Sequence, residues 1–232
     1  MQKANWHILS TRPLSKAVVD DALQKGIAIE EVSFIQTVPI VDKNIQKELE
    51  TFSTQPITAV FTSMNAVDAV AAAIGRKVAW TVYSSGSATE RLVEEKFGVT
   101  VKESAAYAAE LADKIIRDAP AEIHFFCGNI RRDLLPQKLS EAGIKVHERV
   151  VYQTVETPKR ILKHFDGILF YSPSAVRSFF SVNTVDEGTT LFAIGTTTAE
   201  ALQPYSKQNV IIATHPGKEE LVQQAIRHFN KK

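Results

Sequence analysis

The stretch HILSTRPLSKAVVDDALQKGIAIEEVSFIQTV, His7 to Val38, returns in altered form as HFFCGNIRRDLLPQKLSEAGIKVHERVVYQTV, His124 to Val155, at an offset of 117 residues. His7 falls on His124, Gly26 on Gly143, Glu31 on Glu148, and Gln36-Thr37-Val38 on Gln153-Thr154-Val155. A second offset, 109, places FTSMNAV (Phe61 to Val67) on FYSPSAV (Phe170 to Val176) and Gly86 on Gly195. Ordered matches over both halves imply a duplicated unit of roughly 115 residues. The offsets differ by eight, which reads as a loop deletion.

Each copy alternates short β-rich apolar runs with helical patterns. WHILS, FIQTVPI, AVFTS, VAWTVYS and VTVKE read as strands in the first copy, and IHFFCG, VVYQTV, GILFYS, LFAIG and VIIAT in the second. Between them lie helical patterns such as LSKAVVDDALQKG, with Gly26 as a C-terminal stop, and RRDLLPQKLSEAG. Continuous apolar strands separated by helices imply parallel sheets covered on both faces. The expected fold is therefore α/β, with two doubly wound, flavodoxin- or Rossmann-like domains. SFIQTVPIVD and RVVYQTVETP are long extended segments that are either core strands or crossings between the domains.

Composition narrows the function. The 232 residues carry a formal net charge of +1, with 44% hydrophobic and 23% charged residues, so no global field recruits nucleic acid or an anionic membrane surface. Any anion is held by local groups. A single cysteine, Cys127, excludes an internal disulfide and a cysteine metal cage and fits a reducing compartment. The start MQKANWHILSTRP has too short an apolar core for a signal peptide, and no apolar run reaches the ~18 residues of a membrane span. A cytoplasmic chain with no nucleic-acid or membrane partner is expected.

The strand-to-helix turns are where an open parallel sheet binds ligands. They read STRP (Ser10 to Pro13), TSMN (Thr62 to Asn65), SSGSAT (Ser84 to Thr89), CGN (Cys127 to Asn129), YSPS (Tyr171 to Ser174) and GTTT (Gly195 to Thr198), and none contains Asp or Glu. Asp caps a helix as well as Ser does, so its absence from all six favours an anionic ligand over plain caps. The candidate donors include Gly86, Ser87, Gly128, Asn129 and Gly195. Two such edges facing each other would make a cleft of N–H and O–H donors. Arg131 and Arg132 directly follow CGN, as partners for a carboxylate or as solvated first-turn residues. Phosphate-loop, dinucleotide and nucleophile-elbow patterns are absent. The six histidines show no short ligand spacing, so no metal site is expected, and His7 and His124 read as structural. Tyr152 replaces Ile35 of the first copy, and a phenol, protonated at neutral pH, suits an acid, although a packed strand aromatic is the plain alternative.

VFTSMNAVDA, FFCGNIRRDLLPQKLSEAGIKVHERVVYQTV, LFYSPSAVRSF and FAIGTTTAEAL, in this order and spacing, resemble the uroporphyrinogen-III synthase family over essentially the whole chain. The resemblance implies a discontinuous first domain (1–36 plus 156–232), an inserted second domain (41–148), and an interdomain ladder of 34–40 and 149–158. It implies cyclisation of hydroxymethylbilane, a polycarboxylate tetrapyrrole, with inversion of ring D, loss of water and no cofactor. It also implies Tyr152 as the acid, with substrate contacts at Thr62, Ser63, Thr89, Ser172, Ser174, Thr197 and Thr198. Thr196 stands where relatives often carry proline. A monomer is expected. The competing readings are a non-catalytic two-domain anion-binding or sensor module and a nucleotide-sugar transferase.

Overall fold

The computed structural model describes residues 4–206, 210–215 and 217–231. The first copy runs β1 (Trp6–Ser10), α1 (Lys16–Gln24), β2 (Ile27–Glu31), β3 (Ile35–Pro39), α2 (Lys43–Ser53), β4 (Thr58–Phe61), α3 (Met64–Ile74), β5 (Thr81–Ser85), α4 (Ser87–Phe97), β6 (Val101–Ala105) and α5 (Ala108–Asp118). The second runs β7 (Glu122–Gly128), α6 (Leu134–Glu141), β8 (Lys145–Glu156), β9 (Gly167–Phe170), α7 (Pro173–Phe180), β10 (Thr190–Ala193), α8 (Thr196–Leu202), β11 (Ile211–Ile212) and α9 (Lys218–Phe229). An offset of 117 carries β1 onto β7 and α1 onto α6, and an offset of 109 carries β4 onto β9, α3 onto α7 and β5 onto β10.

The offset changes because 18 residues (40–57) separate β3 from β4, whereas 10 (157–166) separate β8 from β9. The extra length holds α2, capped by Asp42, whose carboxylate accepts the N–H groups of Asn44 and Ile45. The copies differ at a second place. The sequence reading passed over β2, and the single long strand β8 corresponds to β2 and β3 together, which belong to different sheets.

Contacts divide the chain into unit 1 (Met1–Gln36 with Val155–Lys232) and unit 2 (Thr37–Thr154). Unit 1 holds the sheet β11-β10-β9-β1-β2, parallel throughout. The six-stranded sheet β3-β8-β7-β4-β5-β6 is parallel from β8 to β6. Ile40 N–H donates to Val151 O and Thr157 N–H to Phe34 O, so β3 and β8 run in opposite directions. Each sheet thus combines the opening βαβ of one copy with the closing strands of the other.

Both sheets are buried on both faces, as the unbroken apolar strands require. In β4, Ala59 and Phe61 enter one core with α3 and α4, while Val60 enters the opposite core with α5 and α6. Phe61 stacks between Phe97 and Phe126 at ring-centroid distances of 5.6 and 5.1 Å. In β9, Ile168 and Phe170 face α7 and α8, and Leu169 faces α9. Strand order reverses between β4 and β7 in unit 2 and between β1 and β9 in unit 1, and the crevice beyond those strand ends is where a doubly wound sheet binds ligands. No helix among the described residues is long and apolar enough to cross a membrane.

His124, in β7, is packed rather than placed for ligation. Its ring lies 4.4 Å from Phe52 and 5.1 Å from His147, and its Nδ1 is buried without a hydrogen-bond partner. Burial, then His147 and Arg149, lower its pKa from 6.5. The unfolded chain therefore takes up this proton first, so the stabilising effect is complete above pH 6.5 and declines as pH falls toward the lower folded-state value. Urea unfolding between about pH 7.5 and 5.5 should show this loss, and His124→Gln should flatten the slope; an identical slope in the variant excludes His124 as its source.

Candidate active site

The C-terminal ends of β4 and β7 border a hollow of about 300 Å³ lined by Thr62, Ser63, Ser85, Tyr107, Gly128, Arg132 and Tyr152, among others. Ser63 is the N-cap of α3, and its extended backbone (φ −150°, ψ 143°) turns the hydroxyl back over the first turn. The Ala66 N–H donates to Ser63 Oγ at 3.3 Å, and Ser63 Oγ donates to Tyr152 Oη at 3.1 Å. A phenol that accepts from Ser63 keeps its own proton for an acceptor in the hollow. The α3 N-terminus polarises this chain of donors, because its positive end stabilises electron density drawn toward the serine.

Tyr152 is 9% exposed, and its position is set by Gly128 and Asn129. A Cβ at residue 128 would lie 2.6 Å from Tyr152 Cζ and 2.8 Å from its Oη, so only glycine lets the ring cross the end of β7. The register shifts here, with Gly128 opposite Tyr152. Asn129 N–H donates to Tyr152 O at 3.1 Å, and Asn129 Oδ1 accepts the Thr154 N–H at 2.8 Å. Asn129 therefore clamps the tyrosine strand, and its amide carbonyl is already engaged.

The neighbouring groups are sorted by their partners. Arg131 pairs with Glu148 and, at 3.5 Å, with Asp133, while Arg132 forms no ion pair among the described residues. Both precede α6, which begins at Leu134 with Asp133 as N-cap, so they are not first-turn residues and an acid does stand at this helix start. The Cys127 thiol is buried, its pKa pushed up to about 11, and it faces Arg149 O at 3.7 Å; it packs the core and is not a thiolate nucleophile.

The other expected contacts separate into distinct places. Gly86 (φ 82°) and Ser87 line a different opening that also contains Glu90, Glu103 and Glu110. Gly86 thus takes a left-handed backbone that favours glycine, in an opening that also holds Lys102 and where Glu103 is paired with Lys114 and Arg117. Thr89, Ser174 and Thr198 are buried at 5%, 5% and 2% exposure, turned inward from their helix starts. Ser174 Oγ accepts from Arg177 at 3.3 Å. In unit 1, Ser172 caps α7 by accepting the Ala175 N–H at 3.2 Å, while Gly195, beside the exposed Thr197, stands at the start of α8. Two residues at the unit 1 switch point, Arg12 and Tyr171, were not singled out from sequence. The available signal was their place within STRP and YSPS, the turns that flank that crevice.

A family model described as uroporphyrinogen-III synthase HemD matches residues 16–223. The chain belongs to the uroporphyrinogen-III synthase family. A uroporphyrinogen-III synthase of Saccharomyces cerevisiae is 42% identical over 86 residues, covering 33% of this chain and 31% of the yeast protein, so the match spans about a third of that relative. The fold is shared with the synthetase of Helicobacter pylori (TM-score 0.65, 18% identity, 98% of this chain and 100% of that one). It is also shared with a uroporphyrinogen III synthase mutant of Thermus thermophilus (TM-score 0.60, 14% identity, the same coverages).

The close seat of the tyrosine in this uroporphyrinogen-III synthase family member gives a direct test. Gly128→Ala should cost about 1–3 kcal/mol by overpacking and push the ring off Ser63. Urea unfolding measures the first effect and a crystal structure of the variant the second. An unmoved ring would show that the strand end has room the geometry denies.

Proposed function

We propose that this chain is a cofactor-independent uroporphyrinogen-III synthase, cyclising hydroxymethylbilane with inversion of ring D and loss of water. Family membership carries the substrate class. The single observation that carries the chemistry is the hydrogen-bonded sequence Ala66 N–H, Ser63 Oγ–H, Tyr152 Oη over Gly128. Tyr152 gives its proton to the departing hydroxyl, which leaves as water. The resulting azafulvene cation is attacked by the substituted carbon of ring D, and the spiro intermediate fragments and recloses in the inverted order at the other α-carbon of ring D, whose proton is lost as the pyrrole is restored and balances the one Tyr152 gave. Ser63 supports the charge that develops on the phenol oxygen. The protein otherwise folds and aligns the linear substrate, a proximity task.

Of the expected contacts, Thr62, Ser63 and Gly128 suit this role best, with Asn129 as a positioning residue; in unit 1 the half-buried cap Ser172 remains, with Gly195 and Thr197 at the start of α8. We infer that 1–36 plus 156–232 and 41–148 fold as separate domains joined through 34–40 and 149–158, and that the protein acts as a cytoplasmic monomer.

Freshly prepared hydroxymethylbilane, incubated with catalytic amounts of protein and followed by oxidation and isomer separation, should yield the type III isomer over many turnovers. Formation of the type I isomer alone, the spontaneous product, would overturn the proposal and leave a binding module. Tyr152→Phe should lower kcat about 10²-fold or more with little change in KM, the range of general acid catalysis. Ser63→Ala should cost several-fold less. An undiminished rate in Tyr152→Phe removes the tyrosine as the acid.

A further inference from the structure

The switch point of unit 1 carries a buried guanidinium nitrogen, Arg12 Nε, that no group among the described residues satisfies. Arg12 follows β1 and Tyr171 follows β9, the two strands between which the order reverses. Arg12 Nε is buried without a hydrogen-bond partner among the described residues, the Tyr171 phenol is buried beside the Ser10 hydroxyl, and the guanidinium carbon lies 5.6 Å above the tyrosine ring. A buried donor left unpaired is destabilising, so Arg12 Nε points to a partner supplied from outside.

The surrounding backbone holds the pair still. Thr11 donates to Leu169 O through its N–H at 3.1 Å and its hydroxyl at 2.8 Å, and Ser10 Oγ donates to Arg12 O at 2.6 Å. These bonds tie the loop after β1 to β9. The nearby carboxylate, Glu31, accepts from the Leu14 N–H and makes no ion pair with Arg12. Lys218, the exposed first residue of α9, also lacks an ion-pair partner among the described residues. Its pKa is lowered by desolvation and then by the charge of Arg12. Burial pushes the Tyr171 phenol up to about 12, so it is present as a donor.

We propose that Arg12, Tyr171 and Lys218 form a subsite for one carboxylate of the substrate at the switch point of unit 1. Arg12 Nε–H and Tyr171 Oη–H donate to the carboxylate, and Lys218 adds charge from the solvent side. A charge-assisted bond from guanidinium to carboxylate is about twice as strong as a neutral one, which makes Arg12 the main anchor. The assignment rests on the proposed polycarboxylate substrate.

The test combines steady-state kinetics with direct observation of Arg12. Arg12→Gln should raise KM for hydroxymethylbilane roughly ten- to hundred-fold and leave kcat within about twofold, as loss of a bond to a charged group requires. Lys218→Gln, at an exposed position that cannot disturb the core, and Tyr171→Phe should each raise KM roughly two- to tenfold. In ¹⁵N-labelled protein the Arg12 Nε–H signal should shift on titration with uroporphyrin III, the oxidised octacarboxylate product. KM values within twofold of wild type for Arg12→Gln and Lys218→Gln, or an Arg12 signal unmoved at saturation, would overturn the subsite. If wild-type protein forms no type III isomer, the proposed activity fails, and the titration still decides whether Arg12 meets a carboxylate.

Discussion

Pairing of β4 with β7 is the contact on which the candidate site depends. Val60 and Phe61 of the first copy lie beside Phe125 and Phe126 of the second in parallel register, and the strand order turns around at that seam. Helices α3 and α6 therefore leave in opposite directions, and a crevice opens beyond Phe61 and Gly128 that no crossover covers. Ser63 stands two residues after the end of β4, and Tyr152 lies across the end of β7 from the neighbouring strand. Their hydrogen bond spans 89 residues of sequence, and the register of this seam is what brings its two ends together.

The same constraint explains which parts of the molecule could be read in advance. Strands buried on both faces must be apolar throughout, so β1, β4, β7 and β9 announce themselves, and the two offsets carry the order of elements from one copy to the other. The divergent segments were harder. IAIEE ends in two acids and is only partly buried, so β2 lacks the unbroken apolar signal, and its counterpart is fused into β8. The helix start at Leu134 was misplaced because Ile130, Arg131 and Arg132 fit a helical pattern as well as a loop.

Site residues were legible as types and not as partners. A Ser at the start of α3 and a Tyr in β8 stand out, but nothing local tells that their oxygens meet at 3.1 Å. The absence of acids in the turns was a property of short windows. In space, Glu90, just past the window, and Glu103 and Glu110 from β6 and α5 line the same opening as Gly86 and Ser87, and Asp133 stands at the N-cap position of α6. Side chains such as Thr89 and Thr198 look like ligand donors in sequence, yet the helical twist at their positions turns them into the core.

The duplication supplies an internal control on the role of each crevice. By the two offsets, Tyr152 corresponds to Ile35, Gly128 to Thr11, Asn129 to Arg12 and Thr62 to Tyr171. Where a phenol crosses the strand end, the residue beneath it is glycine, because any Cβ would collide with the ring. Where the counterpart is Ile35, that position carries Thr11, whose side chain is free to bind Leu169 O. The exchange continues one residue on. The crevice with the strand tyrosine has an amide that clamps its own backbone, and the crevice without it has a guanidinium with an unspent donor. The two edges thus carry sets of residues that are each consistent within themselves. The proposed proton donor needs a supported, water-poor seat, while the proposed anion anchor needs a donor left unpaired, and a single copy of the edge satisfies only one of these demands at a time.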